Sequence, residues 1–219
     1  MRTKILLTAV AALAAGLVST NAQVYSQNVV GYYNIPLVPG QQFLVGNQLI
    51  NSSSNDIATL LASLPTKTTV QTWNGTTFSG TSKGAGGWSP TDPQIAVGQG
   101  FFVELSASAQ SNTNTFTGSV LVGFGQSVTN TYPAGQTLIC SPIPYAGLLS
   151  DTSNINLGTL PNKTTIQIWN PGTSTYSGTS KGAGGWSPSV FSIGVGQGFF
   201  IVAPAGGATL IQTLTTTNI

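Results

Sequence analysis

The sequence predicts an all-β fold made of two tandem small β-sandwich-like modules, each with one short helix or helical turn. Three observations predict it: an internal duplication, strand-type alternation of apolar side chains, and Gly, Pro and Asn punctuation between short apolar runs. The duplication is plain. Leu64-Pro-Thr-Lys-Thr-Thr-Val-Gln-Thr-Trp-Asn74 matches Leu160-Pro-Asn-Lys-Thr-Thr-Ile-Gln-Ile-Trp-Asn170 at 8 of 11 positions, and SGTSKGAGGWSP from Ser79 to Pro90 recurs unchanged from Ser177 to Pro188. Val97-Gly-Gln-Gly-Phe-Phe102 returns as Val195 to Phe200. Upstream, Gly40-Gln41 pairs with Gly135-Gln136, and Phe43-Leu44-Val45 with Leu138-Ile139-Cys140. Two copies are too few for a solenoid or propeller, so two small domains side by side are expected.

The chain divides into 1–22, 23–117 and 118–219. The first segment has a charged start at Arg2 and Lys4, an apolar run from Ile5 to Val18, and small or polar residues ending in Ala22, the layout of a cleavable export signal. The run is shorter than the roughly 20 residues a spanning helix needs, and no later stretch is long and apolar enough to cross a bilayer. Beyond it, the join between modules is expected within Ser106 to Thr117, a stretch of Ser, Ala, Asn, Gln and Thr.

Within the modules, Val29–Ile35, Gly100–Leu105, Val120–Phe124 and Leu210–Leu214 have the composition of strands. Ile166 and Ile168 fall on one face of another and Gln167 and Trp169 on the opposite face. One helix is expected from Ile57, Leu60, Leu61 and Leu64 at i, i+3, i+4 and i+7, with Asp56 as its cap and Pro65 as its stop. In the second copy Asn154 is placed to cap a weaker turn through Ile155 and Leu157, and Asp151, like Asp56, falls where a helix begins.

Charge limits the chemistry. After Ala22 the chain carries Lys67, Lys83, Lys163 and Lys181 against Asp56, Asp92, Glu104 and Asp151, with no Arg and no His anywhere beyond the signal. Scattered lysines on a neutral chain argue against nucleic acid and anionic membranes as partners. Without His, triads of the Ser-His-Asp or Cys-His type cannot form, and zinc or iron sites lack ligands, so no metal and no cofactor are expected. A carboxylate pair is conceivable from the four acids, but Asp92 and Glu104 align with Val190 and Val202 in the second copy. An enzyme is therefore not expected. Cys140, the single cysteine, lies in an apolar run and behaves as a small hydrophobe.

The glycine-rich SKGAGGW loops invite comparison with a phosphate cradle, but Lys83 and Lys181 precede the glycines and Trp-Ser-Pro follows them, the wrong order for a P-loop. A turn using glycine's positive φ fits better. Phe101-Phe102 and Phe199-Phe200 must point to opposite faces of a strand, one to the core and one outward, and Trp73 and Trp169 are placed to cover the outward rings. Trp88 and Trp186, on the glycine-rich loops, serve either as lids on their modules or as flat platforms for sugar rings; with Lys83 and Lys181 beside them they are the candidate ligand-binding residues.

The order of an apolar LVGN or LICSPIP, a strand ending in Trp-Asn, a Tyr or Phe, and a closing GQGFFV or GQGFFI resembles a module of secreted and surface proteins of Gram-negative bacteria, most of them uncharacterised. The resemblance covers roughly Val29 to Val103 and Val120 to Val202. Such modules often have Asn-Pro after the first strand, whereas here Asn47 is followed by Gln48 and the second copy has Ser141-Pro142. The resemblance implies export and an all-β fold, and brings no catalytic residues. The expected function is that of an exported structural, adhesive or surface-binding protein, extracellular, on the cell surface or in the periplasm. Its expected partners are further copies of itself or surface glycans, with glycan binding through the loop tryptophans as the alternative.

Overall fold

The computed structural model describes residues 29–148, 156–188 and 191–215. The segment expected to be the export signal, the acid Asp151 and the cap Asn154 lie outside these residues. Within them the chain is all-β, and its sheets fall into two matching groups.

Each module contains a two-stranded antiparallel ribbon and a five-stranded antiparallel sheet. In the first, β1 (Val30–Leu37) pairs with β7 (Asn112–Ser119), and the sheet runs in the order β2 (Gln42–Gly46), β6 (Gly100–Glu104), β3 (Thr69–Trp73), β4 (Phe78–Gly84), β5 (Gly87–Ser89). In the second, β8 (Ser127–Tyr132) pairs with β16 (Ala208–Thr213), and the sheet order is β9 (Gly135–Cys140), β15 (Gly198–Ala203), β11 (Thr165–Asn170), β12 (Thr175–Gly182), β13 (Gly185–Ser187). A short pair, β10 (Gly147–Leu148) with β14 (Ser192–Ile193), is confined to the second module.

The period of two along each strand divides its side chains between cores. Val45, Val70, Phe101 and Val103 face the ribbon and helical turn of the first module, where they meet Tyr33, Leu37, Ile57, Leu61 and Phe116. Ile139, Ile166, Phe199 and Ile201 do the same in the second module with Tyr132, Leu157, Leu160 and Leu210. The opposite faces of the two sheets meet each other. Leu44, Phe102, Leu138 and Phe200 form a third buried cluster, with Trp73 and Trp169 packed against it. The modules thus share a core, where the sequence predicts two domains lying side by side.

This shared core corrects the upstream alignment by one residue. Leu44 and Leu138 occupy the same place, as do Gln42 and Gln136, since each Gln amide reaches the matching strand Gln, Gln71 at 3.4 Å and Gln167 at 3.5 Å. Pairing Leu44 with Ile139 instead would exchange every inward and outward side chain of the strand. Val45 therefore corresponds to Ile139, and Gly46 to Cys140.

The predicted helix begins where expected. Asp56 accepts from Thr59 N–H at 2.7 Å and caps α1 (Ile57–Leu60). It ends earlier than Leu64, because Leu61 leaves helical geometry, yet Ile57, Leu60, Leu61 and Leu64 are all buried. The second module has only a 3-10 turn, Leu157–Thr159, preceded by Asn156 in the left-handed region without a side-chain cap. Val120–Phe124, expected as a strand, forms none: with Gly125 at φ +75° it belongs to the connection between β7 and β8. Residues 112–117, inside the stretch expected as the join, are most of β7 and pair with β1.

Candidate functional site

The recurring SKGAGGWSP run folds as a tight hairpin in both modules. Lys83 stands opposite Trp88 and Gly84 opposite Gly87; Lys181 stands opposite Trp186 and Gly182 opposite Gly185. The turn uses glycine as expected, with φ +110° at Gly87 and +104° at Gly185. Cross-strand partners project from the same face of a sheet, so each Lys and Trp emerge together on the core side.

Lys83 Nζ donates to Ala62 O at 2.8 Å and Leu64 O at 2.7 Å, with a longer contact to Leu61 O at 3.4 Å. Lys181 Nζ does the same to Gly158 O at 2.6 Å and to Leu160 O. The carbonyls at the end of a helical turn have no partner within the turn, and here an ammonium supplies one. The main chain strengthens the same corner: Lys67 N–H reaches Lys83 O and Lys163 N–H reaches Lys181 O, both at 2.7 Å, with Lys67 and Lys163 in the left-handed region at φ 65° and 71°. Both candidate lysines are thus engaged with their own module's backbone.

Trp88 and Trp186 are half-buried and pack against the first and second module cores, respectively. The indole N–H of each is covered, and in neither module does it meet an acceptor of the protein. The rings are therefore partial lids.

Two of the three described acids, Asp56 and Asp92, serve the start of α1. Asp56 caps α1, and hydrogen bonds from Ser54 and Thr59 hold its carboxyl below the ordinary carboxylate range. Asp92 Oδ1 accepts from Ala58 N–H at 3.0 Å, a second carboxylate serving the same helix start. Glu104 ends β6, opposite Gln42 and Thr69. No group of three or more His, Cys, Asp or Glu comes together among the described residues, and no helix among them is long and apolar enough to cross a membrane.

The structure adds two features that motif spacing did not single out. One is the outward face of the ribbons. Tyr32, 73% exposed, lies on β1 opposite Thr117, and Asn34 lies opposite Thr115, whose hydroxyl it accepts at 2.7 Å. Thr113, Thr115 and Thr117 on β7, and Ser127, Thr129 and Thr131 on β8, are all exposed on alternate positions. The signal for this face is the Thr-x-Thr-x-Thr alternation of Thr113, Thr115 and Thr117, which lies inside the stretch expected as the join. A cavity of about 210 Å³ opens beside Tyr32, lined mainly by apolar residues including Val30, Leu49, Val120 and Leu214.

The other is the contact between modules. Trp169 Nε1 donates to Gln42 O at 2.6 Å, and Trp73 Nε1 donates to Gln136 O at 3.1 Å. Trp169 meets Phe102 edge-on at 5.6 Å and Trp73 meets Phe200 edge-on at 5.9 Å. Each tryptophan covers an outward Phe as expected, but the Phe belongs to the other module. Phe78 and Tyr176 complete the ring cluster at its half-exposed rim.

Cys140 lies at the centre of this contact, fully buried, its thiol directed to Asn47 O at 3.3 Å. Burial pushes its ionisation well above the ordinary value, which suits a hydrophobe and not a nucleophile. No protein-family model, no curated protein and no solved structure matches the chain.

Proposed function

We propose that this chain is an exported, non-enzymatic structural or adhesive protein of the cell envelope or exterior, built on the secreted all-β module that its sequence resembles. The observation that supports this most directly is the chemistry of its outward ribbons: rows of uncharged Thr, Ser and Asn side chains with an exposed Tyr, on two modules that share a core. Such a surface offers hydrogen bonds without the desolvation cost of charges and without long-range repulsion between copies. The corner lysines Lys83 and Lys181, with Asp56 and Asp92 at the start of α1, support the same reading, because they are occupied by backbone groups.

Immunogold labelling of intact cells, together with sedimentation at rising protein concentration, tests the proposal. Surface label with concentration-dependent association or a retained envelope partner is the expected result. A protein confined to the cytoplasm, or a strict monomer with no partner in surface extracts, would overturn it.

Glycan binding is the second reading, and the exposed Tyr32 ring beside Asn34, Thr115 and Thr117 favours it. Tyr32 offers a freer stacking face than the half-buried Trp88 and Trp186. On a glycan array, binding abolished by Tyr32→Ala and retained in Trp88→Ala/Trp186→Ala would place the platform on the ribbon. The reverse pattern would place it at the hairpin loops.

A further inference from the structure

The contact between modules is built from reciprocal pairs. Gly46 N–H donates to Gly196 O at 2.8 Å, and Cys140 N–H donates to Gly98 O at 2.9 Å. Val45 bridges Gln197, and Ile139 bridges Gln99. A Cβ on Gly100 would lie 2.8 Å from Ile139 O, and one on Gly198 would lie 2.8 Å from Val45 O. With the two Trp donations and the two Trp–Phe contacts, each element of one module finds in the other the partner that its own copy supplies in return. The recurring Gly-Gln-Gly is therefore a clasp between modules, since only glycine lets the opposing main chain approach so closely.

At the centre the reciprocity fails. Gly46 and Cys140 are equivalent positions in direct contact, and a Cβ on Gly46 would overlap Cys140 Cβ and Sγ. Next to them, Gln48 is buried and spans the boundary, donating to Ile143 O at 3.1 Å and accepting from Gly196 N–H at 2.7 Å. Its counterpart, Pro142, has neither group. Two first modules facing each other would leave a void and two unmatched glutamines; two second modules would force two cysteines into one space. The surface accepts only a first module against a second.

We infer that this polarity-selective surface also joins separate copies of the chain, the first module of one pairing with the second module of the next by exchange. A pairing of unlike faces is heterologous, so exchange closes into rings or extends into filaments. Within one chain the connection 120–126 keeps the two faces at a high effective concentration, and the closed monomer dominates until protein concentration approaches the millimolar range typical of short linkers.

The test uses residues 23–219 with a protease site inserted between Val122 and Gly123, prepared with and without ¹⁵N label. After cutting, the halves are expected to co-elute as a 1:1 complex at micromolar concentration. Mixed with labelled cut protein, they should yield, by native mass spectrometry, first-with-second pairs of mixed label and no like pairs. Gly46→Ala should abolish pairing, and Gly46→Ala/Cys140→Gly should restore it, which a merely unfolded variant would not do. Halves that separate while keeping their β-sheet circular dichroism, or that form like pairs, would overturn the inference. If the cut halves lose their sheet signal, the uncut chain decides. Annealed near its melting temperature at millimolar concentration, it should give dimers and longer forms by light scattering, absent in Gly46→Ala; a wild-type chain that returns only as monomer would overturn it.

Discussion

The two modules differ most where they are least in contact. The first carries a true helical turn capped by Asp56 and supported by Asp92; the second carries a 3-10 turn with no side-chain cap. Yet both keep the corner lysine, the tryptophan that donates across the boundary, and the Gly-Gln-Gly clasp. Features that bind one module to the other, or close its corner, tolerate less change than the element covering an outer core. The exceptions are the Gly46 and Cys140 pair, where a symmetric solution would not fit, and the neighbouring Gln48 and Pro142.

Substitutions at that pair should break the comparison most sharply. Gly46→Ala is expected to cost about 3 kcal/mol by overpacking, whereas Cys140→Ala, at the equivalent position, should cost about 1 kcal/mol through a small void. Denaturant unfolding of the double variant Gly46→Ala/Cys140→Gly should recover most of the first loss, giving a strong coupling between the sites. Additive losses would show that the two positions do not share one space. Next in size, Trp73→Ala and Trp169→Ala should each cost about 3 kcal/mol or somewhat less, since neither ring is fully buried. Their near equality, read from the same unfolding curves, would sharpen the case for a reciprocal interface.

Corner substitutions should separate the modules modestly. Lys83→Met removes an ammonium from two short carbonyl contacts and one long one and should cost about 2 kcal/mol, with Lys181→Met comparable or smaller. Amide exchange should locate each loss in its own module. Asp56→Ala should cost about 1 kcal/mol, with the added exchange confined to α1.

The pH response should be the smallest effect near neutrality. Burial raises the ionisation of Cys140 above its ordinary 9.0 and that of Tyr33 and Tyr132 above 10.0. The unfolded chain therefore loses these protons first, and their stabilising effect is complete below pH 9 and declines as pH rises beyond it. Asp56 has the opposite sign: its contribution is present above the ordinary carboxylate range and fades as pH falls below it. Melting temperature across the alkaline limb should fall less in Cys140→Ala than in the wild type, measured against each protein's own value at pH 7.

Much of the fold was legible because it is local. The spacing of Ile57, Leu60, Leu61 and Leu64 identified a buried helical face, Asp56 its cap, and the glycines of SKGAGGW a turn that needs positive φ. The opposite facing of Phe101 and Phe102 followed from strand geometry, and so did the need to cover Phe102. The register of Leu44 against Leu138 was not legible, because a one-residue shift leaves an apolar run looking the same while exchanging its faces. Nor was the strand at 112–119: its Thr and Asn content resembles a linker until β1 supplies the hydrogen-bonding partner. Trp88 and Trp186 could be read as lids or platforms from sequence, and their packing depends on a core assembled from distant segments.

By itself the amino-acid order determined an all-β chain, two copies of one module, a neutral composition without His or Arg after the expected signal, and the local turns and caps. These follow from periodicity and from the short-range preferences of Gly, Pro and Asp. Only the tertiary structure decided that the two sheets share a core, that each tryptophan serves the opposite module, and that glycine must face cysteine between them. Those outcomes depend on which surfaces meet, and contacts between residues 93 and 127 positions apart leave no local pattern from which their geometry can be read.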